Sequence, residues 1–362
     1  MAAPGILNDI IRSLQVSVAL AGQLIGIAAI VMAIGSPLLA ALLSGFDRRR
    51  VMVLALLWYA AGHALSALMP SFGALLPVRC ATMLAAAAFT PQAASAISAL
   101  APPAARGQAI TFVFLGWSVA SVLGMPMAAW IGEALGWRWA FGAVALLALA
   151  AAVGVWRAVP AGVRPPALSL ADWKRVFSHP VLMAIVTVTL FSSAGQFTLF
   201  TYFAPYYAEV LHASPAQVGL LFLWFGLVGL AGNVLLTRAV DRIGAARAVA
   251  TTLGCMALSM LAWPLATGFW GALLVTLPWA LGCFSSNSAQ QARLALAAPA
   301  LATALISLNT SAMYGGQFIG AGGGGAIIAA GGFGGLSSAA LAWMSCAIAL
   351  SLWAARRTQS HA

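Results

Sequence analysis

Between Arg12 and Asp47 the chain runs without a single Asp, Glu, Lys or Arg, and charge-free runs recur over 51–78, 80–105, 107–132, 176–208 and 210–237. A bilayer is crossed by about 20 predominantly apolar helical residues, because inside it every backbone polar group must be satisfied within its own segment. Each run meets that requirement and predicts a membrane-spanning helix. The run over 139–156 is shorter, but Trp137 and Trp156 bracket it as interfacial aromatics bracket a span. Two longer runs, 248–292 and 294–355, exceed one crossing, and each holds a turn signal midway, at Pro264–Gly268 and Gly331–Gly335. Read as two hairpins, they bring the expected total to eleven spans.

Composition narrows the class further. Apolar residues make up 63% of the 362 and charged ones only 6%, against about a quarter charged in a soluble domain. The formal charge of +11 does not mark a nucleic-acid binder, since the cations sit singly between spans rather than on one soluble face. Cys80, Cys255, Cys283 and Cys346 all fall inside apolar runs without metal or redox spacing and read as small buried hydrophobes. No HExxH, GxSxG or paired intramembrane carboxylate occurs, which speaks against an intramembrane enzyme. The expected partners are the lipid bilayer and a small-molecule substrate, with no cofactor, no metal and no nucleic acid, and the chain is expected to act as a monomer.

Cationic residues gather in alternate loops: Arg48 to Arg50; Arg106; Arg157, Arg164, Lys174 and Arg175; Arg238, Arg242 and Arg247; Arg293; then Arg356 and Arg357. These are fourteen of the 17, while the intervening loops hold only Arg12 and Arg138. The positive-inside rule places the first set, and the C-terminus, in the cytoplasm. With eleven spans the N-terminus then lies outside. Residues 1–12 carry no apolar core of a signal peptide. A multi-pass protein of a plasma membrane, the bacterial inner membrane, is the expectation.

The longest polar connection, Arg157 to Pro180, contains Arg164-Pro165-Pro166 and Asp172-Trp173-Lys174-Arg175 and reads as a cytoplasmic linker. It separates an N-terminal bundle of five spans (1–156) from a C-terminal bundle of six (181–362), with 157–180 between them. Sliding the sequence on itself by 196 or 197 residues brings Asp47-Arg48-Arg49-Arg50 near Asp241-Arg242 to Arg247 and sets Gly124 on Gly320. Each half thus has a basic turn after its second helix and a glycine-bearing fifth helix. Parallel repeats of this kind are an architecture of secondary transporters.

On these motifs the sequence resembles the major facilitator superfamily, and within it the drug:proton antiporter and arabinose-efflux-permease-like group. Pro37 to Leu42 followed by Asp47 to Arg50 looks like that group's degenerate form of the loop between helices two and three, with Ser44 and Ala40 at the family's acidic and glycine positions. Asp241, Arg242, Gly244 and Arg247 form a fuller second copy. Arg79 resembles the arginine near the outer end of the fourth helix. Val122-Leu123-Gly124-Met125-Pro126 is similar to the glycine-proline motif of antiporters, and Gly136 to Phe141 to the entry of the sixth helix. Ala194-Gly195-Gln196-Phe197 and Phe200 to Pro205 resemble the seventh helix of the sugar-efflux group. The resemblance implies an all-α membrane fold of two parallel, pseudo-symmetric bundles rocking about a central site, coupled to protons. It also makes Pro4 to Ser17 look like the external end of the family's first helix and its loop, so the first of the usual twelve helices is expected to be missing.

Several residues stand out against the apolar background. Arg79 lies well inside a span, where insertion scales put an arginine at about 2.5–3.5 kcal/mol; it reads either as a proton-coupling group or as a side chain snorkelling to the outer interface. His63 is either a titrating partner or a hydrogen-bonded packing histidine. Gln92, Ser95 and Ser98 make one face of the fourth helix polar, and Gln196, Tyr202 and Tyr206 lie close to a common face of the seventh. Asn287, Gln290 and Gln291, then Asn309, Tyr314 and Gln317, add neutral groups that either line a cavity or bond a neighbouring helix. Gly316, Gly320 and Gly324 repeat every fourth residue for close packing, and Gly124 with Pro126 either packs or bends its helix. Asp47, Arg48, Arg49, Asp241, Arg242 and Arg247 are candidates for a cytoplasmic gate, the alternative being charges that only set topology.

The function expected is proton-coupled efflux of a small organic molecule, drug, sugar or nucleoside-like, by alternating access. The interior holds no carboxylate, since Asp9, Asp47, Glu133, Asp172, Glu209 and Asp241 all lie at span ends or in loops. The competing reading is a truncated, transport-inactive membrane protein with a structural or sensory role.

Overall fold

The structure is a computed structural model that describes residues 2–16, 18–164 and 169–359. The Pro165-Pro166 pair of the linker, Ser17 and the side chain of Pro126 lie outside the described residues. Among the described residues the chain is helical, with short connections and no strand.

The helices are α1 (Ala2–Leu14), α2 (Val18–Leu42), α3 (Arg48–Leu68), α4 (Phe72–Leu100), α5 (Arg106–Val119), α6 (Met125–Leu135), α7 (Trp137–Ala158) and α8 (Leu170–Ser178). They continue as α9 (Pro180–Phe200), α10 (Phe203–Glu209), α11 (Pro215–Ile243), α12 (Ala245–Ala262), α13 (Gly268–Ala297), α14 (Ala302–Gly331) and α15 (Leu336–Gln359). Eight stretches of the described residues are long and apolar enough to cross a membrane, and the last of them, Pro299–Arg357, takes in α14 and all but the end of α15. Their exposed surfaces are rich in Leu, Trp and Phe, Leu146, Leu147, Trp270 and Leu274 among them. Such exposure would be costly in water and is the expected outer surface in lipid.

The helix ends follow ordinary local chemistry. Asp47 caps α3, its carboxylate accepting from the Arg50 amide. Ser214 and Gln217 form a reciprocal capping box on α11, with Pro215 in the first turn. The turn expected at Pro264–Gly268 is a short tight helix over Trp263–Leu265 followed by Gly268 at φ +63°, and the one at Gly331–Gly335 is a similar turn over Gly332–Gly335.

The residues group into two compact units. The first comprises 1–100, 119–173 and 300–311; the second comprises 101–118, 174–299 and 312–362. Within the first, α1 packs on α6, α2 and α7 through buried Ile6 and Ile10, and a Cβ at Gly132 of α6 would come 2.9 Å from Ile6. Asp9 of α1 accepts a 2.6 Å bond from the Trp137 amide, the first residue of α7. Within the second, Phe203, Trp263 and Trp279 form the aromatic centre, Phe203 stacked on Trp263 at 5.4 Å and edge-on to Trp279 at 5.0 Å.

Candidate functional site

In the first unit α3 and α4 bring His63 and Arg79 together, with 1% and 5% of their surfaces exposed. Arg79 Nη1 lies 2.9 Å from His63 Nε2, and His63 Nδ1 lies 2.9 Å from the Tyr59 carbonyl. A guanidinium has only donors, so Nε2 is the acceptor, Nδ1 carries the proton toward Tyr59, and the imidazole is neutral. The guanidinium carbon sits 5.0 Å above the ring of Phe141 on α7, and the His63 ring stands edge-on to the same ring at 5.7 Å. Arg79 thus turns inward onto a histidine and an aromatic face, not outward along its stem.

On the same helix Gln92, Ser95 and Ser98 are all buried. Neither amide atom of Gln92 has a hydrogen-bond partner among the described residues, and the same holds for the hydroxyls of Ser98 and of Ser36 on α2. A buried amide left unmatched costs about 1–3 kcal/mol, so such a group in a native interior marks a place for water or a polar ligand.

In the second unit Gln196 of α9 accepts from the indole N–H of Trp279 at 3.4 Å. Gln290 of α13 donates to the Ile185 carbonyl at 2.5 Å, while its carbonyl oxygen, with those of Gln291 and Asn287, has no partner among the described residues. The Tyr202 hydroxyl donates to the Ala321 carbonyl of α14 at 2.6 Å. Asn309, on the part of α14 that belongs to the first unit, is fully buried. Gln317, on the part that belongs to the second, is half-buried.

The glycine repeat of α14 lies against α9. A Cβ at Gly316 would meet the Leu190 carbonyl, one at Gly320 the Ala194 carbonyl, and one at Gly324 the ring of Tyr202 and the Thr198 carbonyl. Gly124 differs, with nothing within 4 Å of its Cβ position. It ends a π turn over Ala120–Gly124 that separates α5 from α6, with Pro126 in the first turn of α6. Proline has no N–H for the carbonyl one turn back, and the wider turn absorbs that loss, so this pair marks a break in the helix rather than a close contact.

The two basic turns hold different partners. Asp47 accepts from the amides of Arg50 at 3.0 Å and Gly162 at 2.5 Å, and the Arg48 amide donates to the Val163 carbonyl at 2.9 Å. Arg48 also reaches the Leu43 carbonyl at 3.1 Å, and Arg49 lies 3.7 Å over the ring of Trp156. Burial pushes the Asp47 carboxyl up, but the two amide bonds and the cationic Arg164 and Arg50 outweigh it and hold the group below its ordinary range. The α2–α3 turn therefore clasps the end of the 157–164 segment, at Gly162 and Val163. Asp241 instead accepts a 2.9 Å bond from the Gln108 amide in the first turn of α5, a terminus with unsatisfied N–H groups and a positive end of the helix dipole. Gly107 permits the approach, since a Cβ there would collide with Oδ1 of Asp241. Beside this contact a cavity of about 490 Å³ is lined by Ala104, Gln108, Arg238, Asp241 and Arg242, and Arg242 and Arg247 are exposed.

Sequence reasoning did not anticipate Tyr59, Phe141, Gly107, Gln108, Gly162 or the Asp9–Trp137 bond. The one local sign was the Gly136 to Phe141 motif, which starts a helix without any capping side chain of its own.

The chain matches the sequence profile of the Major Facilitator Superfamily over residues 1–321 and, again, 186–361. It is 30% identical over 324 residues to the inner membrane transport protein YdhP of Escherichia coli K12, covering 88% of this chain and 82% of that one. It is 35% identical over 266 residues to a chloramphenicol resistance protein of Streptomyces lividans, covering 71% and 68%. Among solved structures, a bacterial homologue of the iron transporter ferroportin in its outward-facing state superimposes with a TM-score of 0.80 at 15% identity, over 98% of this chain and 96% of that one. The profile match spans both halves of the chain, and the helical order and the basic turns described above accompany it. The chain belongs to the major facilitator superfamily, a family of multi-pass membrane transporters.

Proposed function

We propose that the protein is a secondary active transporter that exports a small organic molecule in exchange for protons by alternating access. The buried bond between Arg79 and His63 carries this reading. His63 accepts from Arg79 only while Nε2 is unprotonated. A proton arriving there removes the acceptor and sets two cations side by side in a low-dielectric interior, where like charges repel strongly. Protonation would thus part α4 from α3 at this point, and release of the proton would restore the bond, giving the proton a differential effect on two arrangements of the helices.

The neutral groups Gln92, Ser95, Gln196, Asn287, Gln290, Asn309 and Gln317 are proposed to meet the substrate, since Gln92, Asn287 and Gln290 keep hydrogen-bonding atoms unmatched among the described residues, which lipid cannot satisfy. Asp241 at the first turn of α5, with Arg242 and Arg247, is proposed as the cytoplasmic gate, with Asp47, Arg48 and Arg49 holding the adjoining segment. The organisation proposed with it is an N-terminal bundle over 1–156, a cytoplasmic linker over 157–180 and a C-terminal bundle over 181–362. These would make eleven spans in all, counting α2, the broken α5–α6 helix and α15, with the C-terminus cytoplasmic and the chain acting as a monomer.

The relative from Streptomyces lividans makes chloramphenicol the first substrate to assay. Inverted vesicles containing the protein should accumulate it when an inward-acid gradient is imposed and lose it on adding a protonophore. Accumulation that ignores the gradient would remove the proton-coupled reading, and testing a neutral sugar in parallel would place the substrate class.

A further inference from the structure

The second unit contains a cavity of about 350 Å³ that the transport reading leaves unused, lined by Tyr202, Glu209, Gly325, Ile328, Ala329 and Phe333. It lies where α9 and α14 end and α10 follows, at the opposite end of the unit from the basic turn after α11. Its walls are built rigidly. Gly324 and Gly325 let the side chain of Tyr202 lie directly on α14, a Cβ at either one coming 2.7 Å from it. The Tyr202 hydroxyl is spent on the Ala321 carbonyl, which fixes the ring in place. Phe333 is braced edge-on by Tyr206 at 5.9 Å, and Tyr206 in turn packs on Trp263 at 5.2 Å.

Into this mostly apolar wall one formal charge is set, the exposed carboxylate of Glu209 at the last residue of α10. Over 181–362 the only acids are Glu209 and Asp241, and Asp241 is engaged at α5. A carboxylate supplies attraction for one positive charge, aromatic rings add to it when the cation lies over their faces, and apolar walls of this size accept a compact hydrocarbon body. The same surroundings repel an anion and give an uncharged polar molecule few donors.

We propose that this cavity binds an apolar organic monocation, a protonated or quaternary amine with an aromatic or alkyl body, with Glu209 as its counter-charge and Tyr202 and Phe333 as its walls. The site is separate from the proton-coupled reading, since neither Arg79 nor His63 takes part.

The test uses the purified full chain in an uncharged maltoside detergent, with benzyltrimethylammonium and its uncharged isostere neopentylbenzene as probes, followed by saturation-transfer NMR and calorimetry. The cation should bind about tenfold or more tightly than the isostere. Glu209→Gln should weaken the cation about tenfold while leaving the thermal midpoint unchanged, because the side chain is exposed, and Glu209→Asp should retain part of the affinity. Phe333→Leu, which keeps the apolar volume without the ring, should also weaken the cation more than the isostere. Equal affinity for the two probes, cation binding indifferent to Glu209→Gln, or no binding of the cation would each overturn the proposal.

Discussion

Asp241, in the turn after α11, holds the Gln108 amide in the first turn of α5 at 2.9 Å across 133 positions of sequence. Its counterpart in the internal repeat, Asp47, binds the amides of Arg50 and Gly162 instead. Two copies of one motif have thus taken on different duties, one engaging a helix terminus and the other fastening a connecting segment. The first duty depends on Gly107 having no side chain. Asp241→Ala and Gly107→Ala should each cost about 1 kcal/mol of stability in detergent, and the double variant should cost little more than either single one. Strictly additive losses would mean the two positions act independently.

Asp47 makes a pH-dependent prediction. Its carboxyl is held below the ordinary value of 3.8 in the folded chain, so its contribution is present above the unfolded value and is lost as pH falls through the lower, folded one. Asp47→Ala should lower the thermal midpoint at pH 7, corresponding to about 1 kcal/mol for a lost cap. The gap from the parent should close as the pH is taken below 3.8. A gap of constant size down to pH 2 would show that the carboxylate charge plays no part.

Gly320 and Gly124, aligned by the repeat, should respond oppositely to added side chains. Gly320→Leu drives a branched side chain into the Ala194 carbonyl of α9, a kind of overpacking that costs about 1–3 kcal/mol, and transport should fall with stability. Gly124→Ala places a methyl in open space and should be tolerated. Thermal stability in detergent separates them, and equal responses would contradict the packing described.

Sidedness is open to a reporter experiment. A fusion after Arg357 should report the cytoplasm, and insertions near Ser71 or His212 should report the outside, because fourteen of the 17 cations mark the other loops. A cytoplasmic signal at Ser71 would reverse the map.

The spans were legible in the sequence because lipid excludes charge, so the gaps between charged residues outline α3, α7, α9 and α11 almost directly, whereas Arg79 lies inside α4 and divides it between two gaps. Turn chemistry likewise located the connections at Trp263–Leu265 and Gly332–Gly335. What escaped was set by distance and by backbone detail. The Asp9 bond to Trp137 joins residues 128 apart, and no local pattern marks an acid inside one helix as the cap of another. Residues 4–17 read as a helix end and its loop, yet 2–14 form one continuous helix whose Ile6 and Ile10 are buried. At Ala120–Gly124 the sequence announces a packing contact, a break or a bend, since glycine and proline mark such a place without saying which backbone geometry absorbs it; the structure answers with a π turn. Helical periodicity groups Tyr202 with Gln196, but α9 ends at Phe200 and Tyr202 sits in the turn before α10, a change of direction that periodicity does not announce.

The central claim is that the proton works through the Arg79–His63 bond, and proton-driven efflux in His63→Asn and Arg79→Gln tests it most directly. Asparagine offers an oxygen to Arg79 but does not titrate, so His63→Asn should insert normally and move substrate down its gradient while losing the response to an imposed pH difference. Arg79→Gln should likewise insert and lose proton-driven efflux, and Arg79→Lys should keep part of it. Full pH-driven efflux in both His63→Asn and Arg79→Gln would contradict the account.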